Sequence, residues 1–390
     1  MNVYIWKTSI PKPVVIFFYS IIFIIALIST AGLINTILPS SNTPQNLDDV
    51  STKFQYFAKH KDDYDVIFFG SSTTYQGVIP KIFDETMAAN GNNIKSFNFG
   101  IMAANIVEMD FYLQKTLALK PAKLKWVFLD CLVNNFMENA PTAPKNVYWH
   151  TPIKTIENFH LIAETNYSLK DKISGFYANS VSFLYRWLGI GHFSNYWQQK
   201  AEKLASYGLP TVVSNNDKLV EEAGYYAMDW MKDSEKLKKS FQLNYLESYQ
   251  QRLAQAKLGV LQSNDTSTHL INSYGIKMIK KIVSRIENSE SFSMNKIVPI
   301  FFIPPILDSD ADHYSIARAY DLGYISNLFA FNDPNTFATL YELDYRADGR
   351  HLNHQGAQEF TRALAAEFFE HLKLSQNEIY NQSPISISQN

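Results

Sequence analysis

Apolar positions fall into three regimes along the chain. From Val14 to Leu38 a run rich in Ile, Phe, Val and Leu carries no charged residue. At about 1.5 Å per residue a helix over this stretch reaches roughly 37 Å, enough to cross a ~30 Å hydrocarbon layer with some tilt. A buried core helix of that length would carry a polar stripe. The nearer competitor is a cleavable signal peptide, whose apolar core usually spans ~7–15 residues. Ser29-Thr30-Ala31-Gly32 supplies small residues, but the length of the run favours an uncleaved anchor. A polar stretch over 39–52, with Pro, Ser, Asn and Asp, reads as a linker. This divides the chain into a cytoplasmic stub and anchor (1–38), the linker, and one soluble domain (53–390).

Beyond the linker the pattern becomes short apolar runs alternating with helical periodicity. Asp65–Phe69 ends at Gly70, Lys95–Phe99 at Gly100, and Lys125–Asp130 forms a third run. Such runs are expected of parallel strands buried on both faces. Between them, helices are predicted over Pro80–Ala89, with Pro80 in the first turn, and over 103–119. A fourth strand is predicted over Ile297–Ile303, although Pro299 argues against a regular central strand at its own position. A polar loop around 343–353 and a final helix over about 355–373 close the chain. Strands alternating with helices predict a doubly wound, mostly parallel α/β sheet, with ligands at the carboxyl ends of its strands. The third regime, about 140–290, is rich in Tyr, Trp, Lys, Glu and Gln. It reads as a helical insertion, with helices over 233–257 and 268–287, that shapes the substrate site or docks a partner.

Charge sets orientation and excludes one class of partner. Lys7 and Lys12 precede the apolar run, whereas Asp48 and Asp49 follow it before Lys53. Positive residues stay in the cytoplasm, so the bulk of the chain is expected outside it: a single-pass plasma-membrane protein facing the periplasm or cell exterior. The net charge of −2, with no stripe of Lys and Arg interleaved with aromatics, leaves no footprint for nucleic acid. With 46% hydrophobic residues the chain is too apolar to be disordered. Cys131 is the single cysteine, so neither an intrachain disulfide nor a thiolate cluster forms. Its apolar neighbours mark it as a small core residue.

Two segments carry candidate chemistry. Gly70-Ser71-Ser72-Thr73 directly follows the first strand, where an α/β sheet presents a nucleophile on a tight turn. A phosphate cradle or a plain turn uses the same residues. Asp348-Gly349-Arg350-His351 lies just before the last helix. A serine needs an imidazole to take its proton, and the imidazole needs a carboxylate to fix its tautomer. Taken alone, this second segment also suits a surface histidine or half of a metal site.

The order Gly-x-Ser after strand one, Gly after strand two, and Asp-x-x-His before the last helix resembles the SGNH (GDSL-type) hydrolases. The resemblance covers about 65–140 and 297–373 and leaves the helical middle unmatched. It implies Ser72 as nucleophile, His351 as base, Asp348 as its partner, and the Gly100 amide in the oxyanion hole. Ser71 replaces the family's usual Asp, and this Gly-Ser-Ser form resembles a membrane-anchored branch. That branch includes the teichoic-acid D-alanylation protein and the alginate and peptidoglycan O-acetylation proteins. The third block, Gly-x-Asn-Asp, is missing; Asn134, ahead of Asn135, stands where its oxyanion-hole residue belongs. The resemblance implies a serine esterase or O-acyltransferase without cofactor or metal, acting on an acylated carbohydrate or cell-envelope polymer. A membrane-bound O-acyltransferase is the implied partner. The competing reading is a catalytically degenerate member that binds glycan or scaffolds an envelope complex.

Other polar and aromatic residues carry less. His354 is expected in the cap region of the last helix, and His150, His160 and His269, in the helical middle, to be solvated or locally hydrogen-bonded. Tyr75 and Trp149 are candidates for a sugar-binding groove. Asn166-Tyr167-Ser168 and Asn264-Asp265-Thr266 fit the glycosylation pattern.

Overall fold

The computed structural model describes residues 11–37, 47, 49–131, 133, 140–189, 216–258, 272–289, 296–307 and 311–382. The apolar N-terminal run is one helix, α1 (Lys12–Ile37), whose Ile and Phe side chains are largely exposed. It is long and apolar enough to cross a membrane. The stretch expected as a linker ends in α2 (Asp49–His60), which already buries Val50 and Ser51. Phe54 and Phe57 hold α2 on the sheet.

The sheet has five strands: β1 (Val66–Phe69), β2 (Ser96–Asn98), β3 (Trp126–Leu129), β4 (Val298–Ile303) and β5 (Leu328–Ala330). They run parallel in the order β2-β1-β3-β4-β5. Successive side chains of a strand point to opposite faces, and each face carries its own core. Ile67, Phe69, Phe97, Val127, Leu129, Phe301 and Ile303 meet α2, α5 (Ile106–Ala118), α12 (Ser273–Glu287) and α13 (Ala311–Asp321). Val66, Phe68, Phe128, Ile300 and Phe302 meet α4 (Pro80–Ala89) and α14 (His354–Gln382). Helices therefore cover both faces, and the strand order reverses direction between β1 and β3, where such sheets open their crevice.

The helices obey local rules. Pro80 starts α4, and Phe83 and Met87, one turn apart, bury its inner side. Asn105 caps α5 by accepting from the Val107 and Glu108 amides. Asn272 caps α12 through the Gly275 amide, and Ile276, Ile279, Ile282, Val283 and Ile286 form its buried stripe. The helix expected over 268–287 thus begins at Ser273, with 268–271 outside the described residues.

Within 140–290 every described element is helical. After a six-residue helix α3 at the site (Ser72–Gly77), these are α6 (Pro144–Trp149), α7 (Pro152–Glu164), α8 (Leu169–Trp187) and α9 (Asn216–Glu221). They continue with α10 (Ser234–Asn244) and α11 (Leu246–Lys257), then α12. The single helix expected over 233–257 is two, because Tyr245 leaves helical geometry at φ −129°. The bend sets Phe241 and Tyr249 edge to face at 5.7 Å, both inside the second core. Cys131 is fully buried, and burial pushes its thiol well above the ordinary range.

Pro299 does occupy an interior strand, paired with Val127. Amides point alternately to either side of a strand. The Phe301 amide points to the β5 side, onto the Asn327 carbonyl at 2.9 Å, and Val298 points to Lys125 on the β3 side. The missing N–H of Pro299 therefore faces the β5 side, one step before β5 begins pairing at Leu328. No ladder bond is lost, and the expected irregularity does not arise.

Candidate active site

The carboxyl end of β1 runs through Gly70 into α3. A Cβ at Gly70 would lie 2.0 Å from the Thr74 hydroxyl and 3.0 Å from Asp130 Cβ, so only glycine admits this turn. The turn is pinned from below by Asp130, buried at the end of β3. Thr73 donates to its carboxylate, and the Thr74 hydroxyl approaches it at 3.3 Å. Because the single Thr73 proton goes to Asp130, the Ser71 hydroxyl at 2.8 Å must donate to Thr73. Three hydroxyls around Ser72 are thereby fixed, and Ser72 is left to point elsewhere.

It points at His351. Ser72 Oγ lies 2.8 Å from His351 Nε2, and His351 Nδ1 lies 2.9 Å and 3.1 Å from the two Asp348 oxygens. A carboxylate only accepts, so Nδ1 carries the proton and Nε2 offers a lone pair to the serine hydroxyl. Burial works against the charge on Asp348. The His351 ring and the amides of His351 and Arg350 outweigh it and bring the carboxyl down to about 2. Those amides reach Asp348 Oδ1 at 2.6 and 2.7 Å, making the loop a tight turn around the carboxylate.

Arg346 holds this loop in place. Its buried guanidinium donates to the carbonyls of Pro305 (2.7 Å), Gly349 (3.0 Å) and Asp348 (3.3 Å). It therefore ties the histidine loop to the segment following β4. Beyond the loop, Asn353 caps α14 through the Gly356 amide, and His354 accepts its place beside Tyr225 at 2.9 Å. Thr361, two turns into α14, receives the Ile79 amide at 3.0 Å and fastens this helix to the end of α3.

Ser72, Thr73, Gln76, Pro304, Pro305, Arg350 and His351 line a cleft of about 230 Å3, counting its mouth. Ser72 lines that cleft and keeps 9% of its surface exposed.

Gly100 is placed differently from the arrangement the resemblance implies. Its amide donates to Asn98 Oδ1 at 2.8 Å. The Asn98 amide in turn donates to Thr74 and Val78 carbonyls at 2.8 and 2.6 Å, closing the end of α3. A Cβ at Gly100 would sit 2.4 Å from the Tyr75 nitrogen, so the glycine serves close packing of this loop on α3. Lys53 donates to the Gly100 carbonyl at 2.7 Å from the other side, its ammonium over the Tyr75 ring and depressed by burial. Asn134 and Asn135 lie outside the described residues.

The groove expected around Tyr75 and Trp149 is not formed by them. The Tyr75 hydroxyl is committed to Asp49 at 2.6 Å, and Trp149 is fully buried against His150. His150 itself bridges Asn146 and Asn179, and His160 stacks on Tyr274. His269 lies outside the described residues.

Asp130, Asn98, Thr361 and Arg346 escape a reading of the sequence. The partners through which they tie the site together lie 20 to 284 positions away, so no local motif marks them. Compared with known proteins, the chain matches no family model and no curated protein.

Proposed function

We propose that this protein is a serine esterase or O-acyltransferase working through Ser72, His351 and Asp348. The observation that carries the reading is the unbroken relay Asp348–His351–Ser72, whose links are 2.9 and 2.8 Å. In the first half-reaction Ser72 Oγ attacks the carbonyl carbon of an ester or thioester while Nε2 of His351 takes the hydroxyl proton. Asp348, ionised, stabilises the imidazolium. The bond to the leaving oxygen or sulfur then breaks, and His351 returns the proton to it. In the second half-reaction water or a sugar hydroxyl yields its proton to His351 and bonds to the acyl carbon; the bond from that carbon to Ser72 Oγ then breaks, and His351 returns the proton to Ser72.

The negative oxygen of the intermediate needs donors aimed at it. With the Gly100 amide turned to Asn98, the oxyanion is assigned on this reading to the first-turn amides of α3, which by helix geometry lack an acceptor within the helix. An acylated carbohydrate or cell-envelope polymer as substrate, with a membrane-bound O-acyltransferase as partner protein, is the setting this reading carries. It puts the domain on the outer face of the membrane that α1 is long enough to cross.

Labelling with a fluorophosphonate tests the chemistry. The wild-type protein should be labelled and Ser72→Ala should not. Equal labelling of both, or of neither while both remain folded, would favour a binding protein. Transfer is separated from hydrolysis by adding a sugar acceptor to the acylated protein: a transferase loses its acyl group faster to the sugar than to water.

A further inference from the structure

α8 is amphipathic in the inverted sense. The side turned into the protein carries Gly175, Ala178, Asn179 and Ser182, all buried. The side turned out carries Leu169, Ile173, Tyr177 and Leu184, which are 74%, 59%, 70% and 46% exposed. At 3.6 residues per turn those four lie within an arc of about 80°, centred opposite the buried side. A helix facing water has the reverse pattern, with large apolar residues inside and polar ones outside. Small residues inside and large apolar residues outside is the pattern of a helix bathed in lipid.

The same outward stripe leads to α1. Trp187 falls on it, 18 residues and five whole turns after Leu169. The Trp187 indole donates to the Ile28 carbonyl at 3.3 Å, and a Cβ on Gly32 would touch its ring at 3.4 Å. Ile28 is six residues inside the end of the span Lys12–Ile34, about 9 Å below it at the helical rise. An interfacial helix seats its apolar face at roughly that depth, ~5–10 Å into the headgroup–acyl boundary. Tyr and Trp are the residues that favour this boundary. Lys170 flanks the stripe on one side, placed to reach anionic headgroups, while Lys172 on the other side donates to the Ala163 carbonyl at 2.9 Å.

We infer that the outer face of α8 lies in the lipid headgroup–acyl boundary, so that the soluble domain is seated on the bilayer by α8 as well as tethered by α1. The occupant of the apolar stripe is the bilayer itself. The inference rests on α1 crossing the membrane and is independent of the chemistry at Ser72.

Full-length protein in vesicles of phosphatidylglycerol and phosphatidylethanolamine provides the test. An environment-sensitive fluorophore is placed on Ile173→Cys, Tyr177→Cys, Phe23→Cys and Lys239→Cys, one at a time. The natural Cys131 is fully buried and stays silent. Lipids brominated along the acyl chain should quench the labels at 173 and 177 severalfold more than the label at 239 on α10, with aqueous iodide showing the opposite order. Quenching at 173 and 177 no stronger than at 239 overturns the inference. So does protection from both bromolipid and iodide, which would assign the stripe to a protein neighbour. Loss of bromolipid quenching at 23 shows that α1 is not in the bilayer, and the inference falls with it; fluorophosphonate labelling of Ser72 would be untouched.

Discussion

Asp348 accepts three donors at once, two amides and an imidazole, and they divide between its two oxygens. Oδ1 takes the amides of Arg350 and His351 at 2.7 and 2.6 Å, whereas Oδ2 makes the shorter contact, 2.9 Å, to the imidazole. Asparagine at this position keeps an oxygen for the amides but turns an NH2 group toward Nδ1. The proton is then driven to Nε2, where it blocks uptake of the Ser72 proton. Asp348→Asn should therefore fold normally, yet react with fluorophosphonate more slowly by about 10^4-fold, the scale of a tautomer error in a Ser-His-Asp set. Asp130 fails differently. Asp130→Ala strands the Thr73 hydroxyl in a buried site, which costs on the order of 1–3 kcal/mol in urea unfolding, and labelling should slow because the Ser72 turn loosens. Ser72, Asp348 and His351 stand out in the sequence because each lies within two residues of a glycine at the end of an apolar run or just before a helix. Asp130 and Arg346 do not: an Asp after a strand and an Arg in a polar loop have many ordinary uses. Only the folded chain brings Asp130 to Thr73, 57 positions away, and Arg346 to Pro305, 41 away.

At the scale of elements, β1, β2, β3 and β4 are visible in the sequence because parallel strands buried on both faces must be apolar throughout. β5 is not, since its three residues are half exposed at the sheet edge and read as loop. The break at Tyr245 is equally silent, for the residues on both sides are good helix formers and tertiary packing of Phe241 and Tyr249 selects the bend. The junction of α4 with β2 carries a pH dependence. Asp84 reaches the Ser96 hydroxyl at 2.6 Å and its amide at 3.2 Å. Burial raises its carboxyl to about 7; the Ser96 hydrogen bonds and Lys95 pull it down, and Asp65 adds to the rise. The fold therefore holds this proton more tightly than the unfolded chain does. Its contribution is complete below about pH 4, and is lost as the pH climbs through about 7. Asp84→Asn should flatten the decline in urea stability between those limits, by on the order of 2 kcal/mol at pH 8. An unchanged slope would mean that the carboxylate stays ionised on Ser96 throughout.

For the whole molecule the question is what locks the helical block to the sheet, because α8 carries the stripe proposed to meet the bilayer while α3 and the loop before α14 carry the site. One answer is a charged cluster on the first core's flank. Asp110 of α5 meets Lys154 of α7 and, at 2.9 Å, Arg285 of α12, while Glu157 of α7 meets Lys154 at 3.0 Å and Lys281 of α12. Asp110 and Lys154 are almost wholly enclosed, with side chains 0% and 4% exposed. Breaking a buried pair from one side typically costs ~3–5 kcal/mol, since the remaining charge keeps its desolvation without its partner. In Lys154→Met, Asp110 keeps Arg285 and Glu157 keeps Lys281, so the loss should fall near the lower figure, about 3 kcal/mol in urea. The consequence reaches further than stability. If α7 is fixed by these ions and α8 packs along α7, loosening the cluster should let the α8 labels lose lipid contact while the Ser72 turn, held by Asp130, reacts as before. Bromolipid quenching at Ile173→Cys should then drop in the Lys154→Met background with the fluorophosphonate rate unchanged. A parallel fall in both would mean that the helical block and the Ser72 turn unfold as one unit.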